Sequence, residues 1–155
     1  MFGAELETMI ESGAGLVLGT VDSRGTPRGV RAWSATVVDR RSQTVRVVFG
    51  ADDAVAVGNM ASGRVALTAA DVRTFRSVQM KGRVVAVEPP TDADIELTRD
   101  QTERFFAALL VTDGNPIEML QRMLPVETMV VELEVDEQYD QTPGPGAGAS
   151  LGTPG

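Results

Sequence analysis

The stretch Thr74-Phe75-Arg76-Ser77-Val78-Gln79-Met80-Lys81-Gly82-Arg83, running on into Val84-Val85-Ala86-Val87, decides how the chain is read. Side chains on a strand alternate between its two faces. Ser77, Gln79, Lys81 and Arg83 therefore share one face, and Val78, Met80 and Gly82 the other. Phe75 extends the apolar set toward the start of the strand. A hydroxyl, an amide and two cations on one face can grip a polar, anionic small molecule. The same four side chains also suit an ordinary solvated face.

Strand signals surround this stretch. Upstream lie Leu16 to Val21, Thr26 to Val38, Thr44 to Gly50 and Arg64 to Ala70. Asp22-Ser23-Arg24-Gly25 and Asp39 to Gln43 have turn composition, so the first three strands form an antiparallel meander. In the second strand Val30, Ala32, Ser34, Thr36 and Val38 fall on one face, with Arg31, Trp33, Ala35 and Val37 on the other. Pro27 belongs at that strand's first residues or on an edge. A final strand covers Val126 to Val135.

Helix signals fill the remainder. Leu6, Met9 and Ile10 make a short amphipathic helix of Ala4 to Ser12, stopped by Gly13 and Gly15. The Gly-x-Gly at 13–15 precedes a strand, which is the wrong order for a dinucleotide fingerprint. Asp52 to Ala61 is a second short helix capped by an aspartate. Thr91 with Asp94 has the form of a capping box for a longer helix, Asp92 to Val111. Asn115-Pro116 opens a last short helix that ends before Pro125. Six strands with late helices give a mainly β, α+β fold, a six-stranded antiparallel split β-barrel over residues 1–139. A Gly/Pro-rich tail occupies 140–155 and cannot be regular structure, with Ser150 to Gly155 expected to be mobile.

At 155 residues the chain is one domain, long enough to bury roughly 70% of the surface its unfolded form exposes. With 14 basic and 22 acidic residues its net charge is −8, which disfavours nucleic acid and anionic membranes. No apolar run approaches the ~20 residues of a membrane span, and a cytoplasmic location is the default. Cysteine and histidine are both absent. This excludes disulfides, thiol and Ser-His catalysis, and imidazole-ligated zinc or haem. The chain could still be an enzyme if a cofactor carries the chemistry.

Several side chains carry two readings. Asp52-Asp53 could do acid–base work or could cap a helix and complement its dipole. Asp92, Asp94 and Glu96 suggest a hard-cation site or simply a helix start. Trp33, the only tryptophan, points to a covered outer face: a dimer interface, a stacking surface for a planar ligand, or packing under a helix. The Gly/Pro tail is a loop, or backbone lying close against a ligand.

Three stretches together resemble the pyridoxamine 5'-phosphate oxidase-related, FMN-binding split-barrel family. They are Gly19-Thr20-Val21-Asp22-Ser23-Arg24-Gly25-Thr26-Pro27 with Arg31-Ala32-Trp33, then Arg76 to Gly82, then Tyr139 to Gly148. The resemblance spans nearly the whole chain. It implies a homodimer of split barrels with two FMN sites at the interface, and a flavin-dependent oxidoreductase of unspecified substrate. It places the small-molecule ligand along Arg31, Ala32, Trp33 and Ser34, along Ser77, Val78 and Gln79 with Lys81, and against Phe49 and Gly50. It gives no protein acid, base or metal ligand. Where flavin-binding members carry a basic pair for the phosphate, this chain reads Asp53-Ala54-Val55 after Asp52. Arg31, Arg76, Lys81 or Arg83 would then supply the charge. The residues with which true pyridoxamine phosphate oxidases hold substrate are missing, so that activity is not expected. The alternative is a non-catalytic binding module using the same dimer cleft for another ligand, such as a deazaflavin, or for none.

Overall fold

The computed structural model describes residues 3–61 and 63–152. Six strands form a closed antiparallel barrel: β1 (Gly15–Val21), β2 (Pro27–Asp39), β3 (Thr44–Gly50), β4 (Arg64–Ala70), β5 (Ser77–Glu88) and β6 (Thr128–Asp140). Around the barrel the order is β1-β2-β3-β6-β5-β4, so β6 enters between β3 and β5 and the β1–β4 pairing closes the ring. Four helices decorate it: α1 (Ala4–Glu11), α2 (Ala54–Met60), α3 (Asp92–Asp113) and α4 (Ile117–Gln121). The fold is the expected split barrel. Among the described residues no helix is long and apolar enough to cross a membrane.

The core follows the predicted alternation. Leu16 and Leu18 from β1, Val45, Val47 and Phe49 from β3, Leu67 from β4, Val78 and Met80 from β5, and Val131 and Leu133 from β6 fill the barrel. Their burial supplies the main driving force for closure. A second, smaller core of Trp33, Phe105, Phe106 and Leu120 lies outside the barrel, under α3 and α4.

The strict alternation expected along β2 breaks at Trp33. Ala32 pairs with Phe49 and Ser34 with Val48, so Trp33 is the extra residue of a β-bulge. Ala32 and Ala35 consequently both enter the core, and Val37 packs against it. Ser34 turns outward to Thr98 on α3, with 2.7 Å between the hydroxyl oxygens. Beyond the bulge β2 has outrun β1, which begins at Gly15. Side chains take over the missing ladder. The buried Gln101 amide accepts from Ala35 N–H at 3.0 Å and donates to Ala35 C=O at 2.9 Å. Glu11 Oε1 accepts from Val37 N–H at 3.0 Å and from the Thr36 hydroxyl at 2.7 Å.

α3 is fixed at its start by the anticipated capping box of Thr91 and Asp94. Asp94 does more than cap. Arg46 reaches it from β3 with two donors, Nε and Nη2, each at 2.8 Å, while Nη1 donates to Glu88 and Glu132. Arg46 thereby holds the Asp94 carboxyl well below the usual carboxylate range, and Asp94 in turn raises the Arg46 guanidinium. Two glycines are dictated by close approach. A Cβ on Gly82 would lie 2.4 Å from Glu134 O, next to the β6 bulge at Asp136. One on Gly13, whose φ is +91°, would lie 2.7 Å from Arg104 Cβ.

Two boundaries differ from expectation. The focal strand begins at Ser77, not Thr74, because Asp71 organises Val72 to Arg76 as a turn. Its carboxylate accepts from Arg73 N–H and the Thr74 hydroxyl, and its carbonyl from Phe75 N–H. Phe75 accordingly takes a positive φ of 60°, is 68% exposed and is no part of the strand. At the other end β6 extends past Val135 to Asp140, and the tail folds back along it. Ser150 bridges to Tyr139, and Leu151 N–H donates to Gln138 C=O at 2.8 Å. Ser150 and Leu151 are thus tied down, contrary to the mobile terminus expected. The rest of that expectation, at 153–155, lies outside the described residues.

Candidate functional site

Cross-strand register builds one continuous outer face from five strands. Arg31, Val17, Thr68, Gln79 and Tyr139 stand in one row across β2, β1, β4, β5 and β6. Gly29, Gly19, Ala66, Lys81 and Glu137 form the next. Directly paired residues of antiparallel strands project to the same side, so the parity read along β5 extends across the sheet. Three interstrand steps separate Arg31 from Gln79, about 14 Å. Between the two polar ends, half-exposed Val17 and Thr68 stand in the first row, and the second row is low, built of Gly29, Gly19 and Ala66.

The two cations at its ends each lie over an aromatic ring. Arg31 lies over the Trp33 ring, 5.7 Å from its centroid, and Lys81 over Tyr139 at 4.7 Å. Neither cation has an ion-pair partner among the described residues. Gln79 Nε2 donates to Thr68 Oγ1 at 3.2 Å. The Tyr139 hydroxyl donates to Glu137 at 2.5 Å, which pushes its pKa up.

The predicted site residues separate into groups. Arg31, Gln79 and Lys81 share the open face. Ser77 stands at its margin, where the tail holds it: Ser77 N–H donates to Thr142 Oγ1 and Ser77 C=O accepts from Gln141 N–H. Ala32, Phe49 and Val78 point into the barrel core, so their side chains reach no surface ligand. Ser34 is committed to Thr98. Trp33 is 5% exposed and packs edge-on against Phe106, 6.2 Å between centroids, which matches packing under a helix among the readings open for it. Its indole N–H donates to no acceptor among the described residues and lies beside Gly50 and Pro125. Arg31, Trp33 and Gly50 are thus brought together at one end of the face.

The acidic pair has structural employment. Asp53 caps α2, accepting from Val55 N–H at 3.0 Å and Ala56 N–H at 3.1 Å, and pairs with Arg28. Arg28 is the largest cause of its lowered pKa. Asp52 accepts from Val126 and Glu127 N–H and so ties down the start of β6. The amides at the start of α2 are therefore filled by a carboxylate of the chain itself. Asp94, offered with Asp92 and Glu96 as a cation site, is spent on Arg46, and no metal-binding cluster occurs among the described residues.

Gly19, Gly29, Ala66, Thr68 and Tyr139 were not anticipated as parts of this surface. Counting outward from the loop closed by the Asp22 N–H to Thr26 C=O hydrogen bond pairs Gly19 with Gly29. A facing pair of strand-interior glycines was the signal available. Glycine weakens a strand and marks places where a ligand or another backbone comes close. Nothing within the chain requires it here, since a Cβ at either position meets only ordinary contacts of 3.7 Å or more.

No family model and no curated protein matches the chain. Solved structures do. HupZ from Group A Streptococcus aligns with a TM-score of 0.58 at 16% identity, covering 96% of this chain and 100% of its own. An F420 reductase aligns at 0.56 and 17%, covering 85% and 94%. A provisional pyridoxamine 5'-phosphate oxidase from Lactobacillus delbrueckii aligns at 0.54 and 22%, covering 89% and 93%. The chain is therefore a split barrel with the fold of the pyridoxamine 5'-phosphate oxidase-related proteins.

Proposed function

We propose that two copies of this chain pair through the outer face of β2, β1, β4 and β5 and hold a flavin, FMN, between them, as a flavin-dependent oxidoreductase of the cytoplasm. The observation that carries this reading is the face itself, where Arg31 and Lys81, without carboxylate partners, flank a strip of glycine and alanine that nothing in the monomer requires. Half-exposed Val17 and Val21 beside the strip suit contact with a second copy.

The donor set fits a flavin in part. Gln79 and the Trp33 indole N–H offer hydrogen bonds to a polar ring edge, and Arg31 or Lys81 offers charge to an anionic tail. Arg76 and Arg83 serve less well, being paired with Glu5 and Glu134. The phosphate gains nothing from α2, because Asp53 fills its first amides. When bound, the flavin supplies the hydride and electron chemistry. The chain binds, orients and shields it, and contributes no acid or base of its own. That the fold is shared with an F420 reductase and a pyridoxamine 5'-phosphate oxidase-like protein is consistent with this class.

Asp53 favours a second reading, in which the same face holds a ligand with no phosphate at α2, a deazaflavin or another small anion, without catalysis. The deciding measurement is the visible absorbance of gently purified protein, repeated after adding FMN and desalting. Flavin bands near one per chain support the first reading. A colourless protein that cannot retain FMN refutes it and leaves the second.

A further inference from the structure

α3 and α4 enclose a groove of about 460 Å³ whose apolar lining includes Ile95, Phe106, Ile117 and Leu124. Thr102 also lines it. This threonine is 7% exposed, and its hydroxyl is the one buried side-chain polar atom among the described residues with no hydrogen-bond partner. Helical threonines ordinarily satisfy themselves on the carbonyl four residues back. Thr8, Thr98 and Thr112 all do so, at 2.8, 2.7 and 3.1 Å. Thr102 alone of these four holds its hydroxyl away from that acceptor. A buried hydroxyl without a partner costs free energy, and a native chain that keeps one calls for an explanation.

We infer that the α3–α4 groove binds a small, uncharged, largely apolar molecule carrying one hydroxyl or carbonyl group, which pairs with Thr102. The volume and lining match an ordinary small-molecule site, with an apolar wall and few polar anchors. A step about χ1 exchanges the threonine methyl and hydroxyl, so the hydroxyl can meet such a group on the groove wall. Charge on the ligand is disfavoured. Arg99 at the rim is already paired with Glu96, and Glu103, the other charge there, repels anions. For a cation the exposed Glu103 offers little, because solvent screens it. None of these residues belongs to the sheet face, so the inference stands whether or not a flavin binds there.

The test uses benzyl alcohol and toluene, a pair differing in one hydroxyl, titrated into the full chain with backbone amide shifts as readout. Both probes should perturb α3 and α4 first. The ratio of the benzyl alcohol to the toluene affinity should fall about fivefold to tenfold in Thr102→Val, the equivalent of one hydrogen bond. Thr102→Ser, which restores the hydroxyl, should recover the wild-type ratio. Valine keeps the threonine shape and removes an unsatisfied group, so the variant should fold. Shifts absent from α3 and α4, or a ratio unchanged in Thr102→Val, would overturn the inference. So would light scattering showing that the probes dissociate a dimer, since the groove would then be a contact between two copies.

Discussion

Replacing Gln101 by leucine tests how β2 is closed off beyond its bulge. Gln101 is 1% exposed, and its amide makes both missing ladder bonds to Ala35, one accepted and one donated. Leucine fills similar volume but offers neither bond, so a backbone N–H and a C=O stay buried and unpaired. Each such group costs about 1–3 kcal/mol, giving a loss of about 2–6 kcal/mol. With a urea m-value of about 2 kcal/mol/M for a domain of this size, the unfolding midpoint should fall by about 1–3 M. Urea titration followed by far-UV circular dichroism measures it. A midpoint within about 0.3 M of wild type, at unchanged slope, would mean that Gln101 does not substitute for a strand. Gln101→Glu refines the point. It keeps the acceptor but faces the Ala35 carbonyl with a second oxygen, so part of its deficit should be recovered at low pH, where the carboxyl regains a donor.

The other predictions concern charge, close packing and the ligand face. Because Asp94 has a folded-state pKa below its unfolded value of about 4, its ion pair stabilises above that pH and is lost as pH falls through the folded value. Because Arg46 keeps Glu88 and Glu132, Asp94→Asn should cost about 1.5–3 kcal/mol at pH 7, with a shallower loss of stability on acidification than wild type in urea titrations from pH 7 to 3. Gly82→Ala should destabilise by at least about 2 kcal/mol through its clash with Glu134 O, read as a lowered Tm. A Cβ at Gly29 meets only Val17 Cγ1, at 3.8 Å, and the outer face leaves the valine methyls toward solvent, so the Gly29→Val monomer should melt within a few degrees of wild type while dimer formation and FMN retention are lost on gel filtration. Arg31→Ala and Gln79→Ala should weaken FMN retention about tenfold with unchanged circular dichroism, and unaltered affinity in both would remove them from the site.

Much of this architecture was legible because it is written locally. The Thr91–Asp94 box, the Asp53 cap and the alternation of Ser77 to Lys81 each need only neighbours in sequence, and each appears as read. The bulge at Trp33 left no local mark, because Ala, Trp, Ser and Ala suit either face of a strand. The ties of Gln101 to Ala35 and Arg46 to Asp94 join residues 66 and 48 positions apart, which no periodicity reveals. Phe75 misled for a plain reason: a turn set by Asp71 can display an apolar side chain wherever its dihedrals require. On the candidate face, parity placed Arg31, Gln79 and Lys81 together on the outside, but listing whole stretches brought in Ala32, Phe49 and Val78, which the pleat turns inward.

The place of β6 has a consequence for how the molecule is made. It pairs with both β3 and β5, and it is the last strand among the described residues. Until Thr128 to Asp140 has left the ribosome, the first five strands form an open sheet with two bare edges, the outer edges of β3 and β5. Such edges recruit other strands. Ring closure must then join positions 88 residues apart, as between Val45 and Leu133, and long-range pairing of this kind is slow. Chains arrested before residue 128 should therefore be trapped by holding chaperones or aggregate, while the finished barrel presents no edge at this seam.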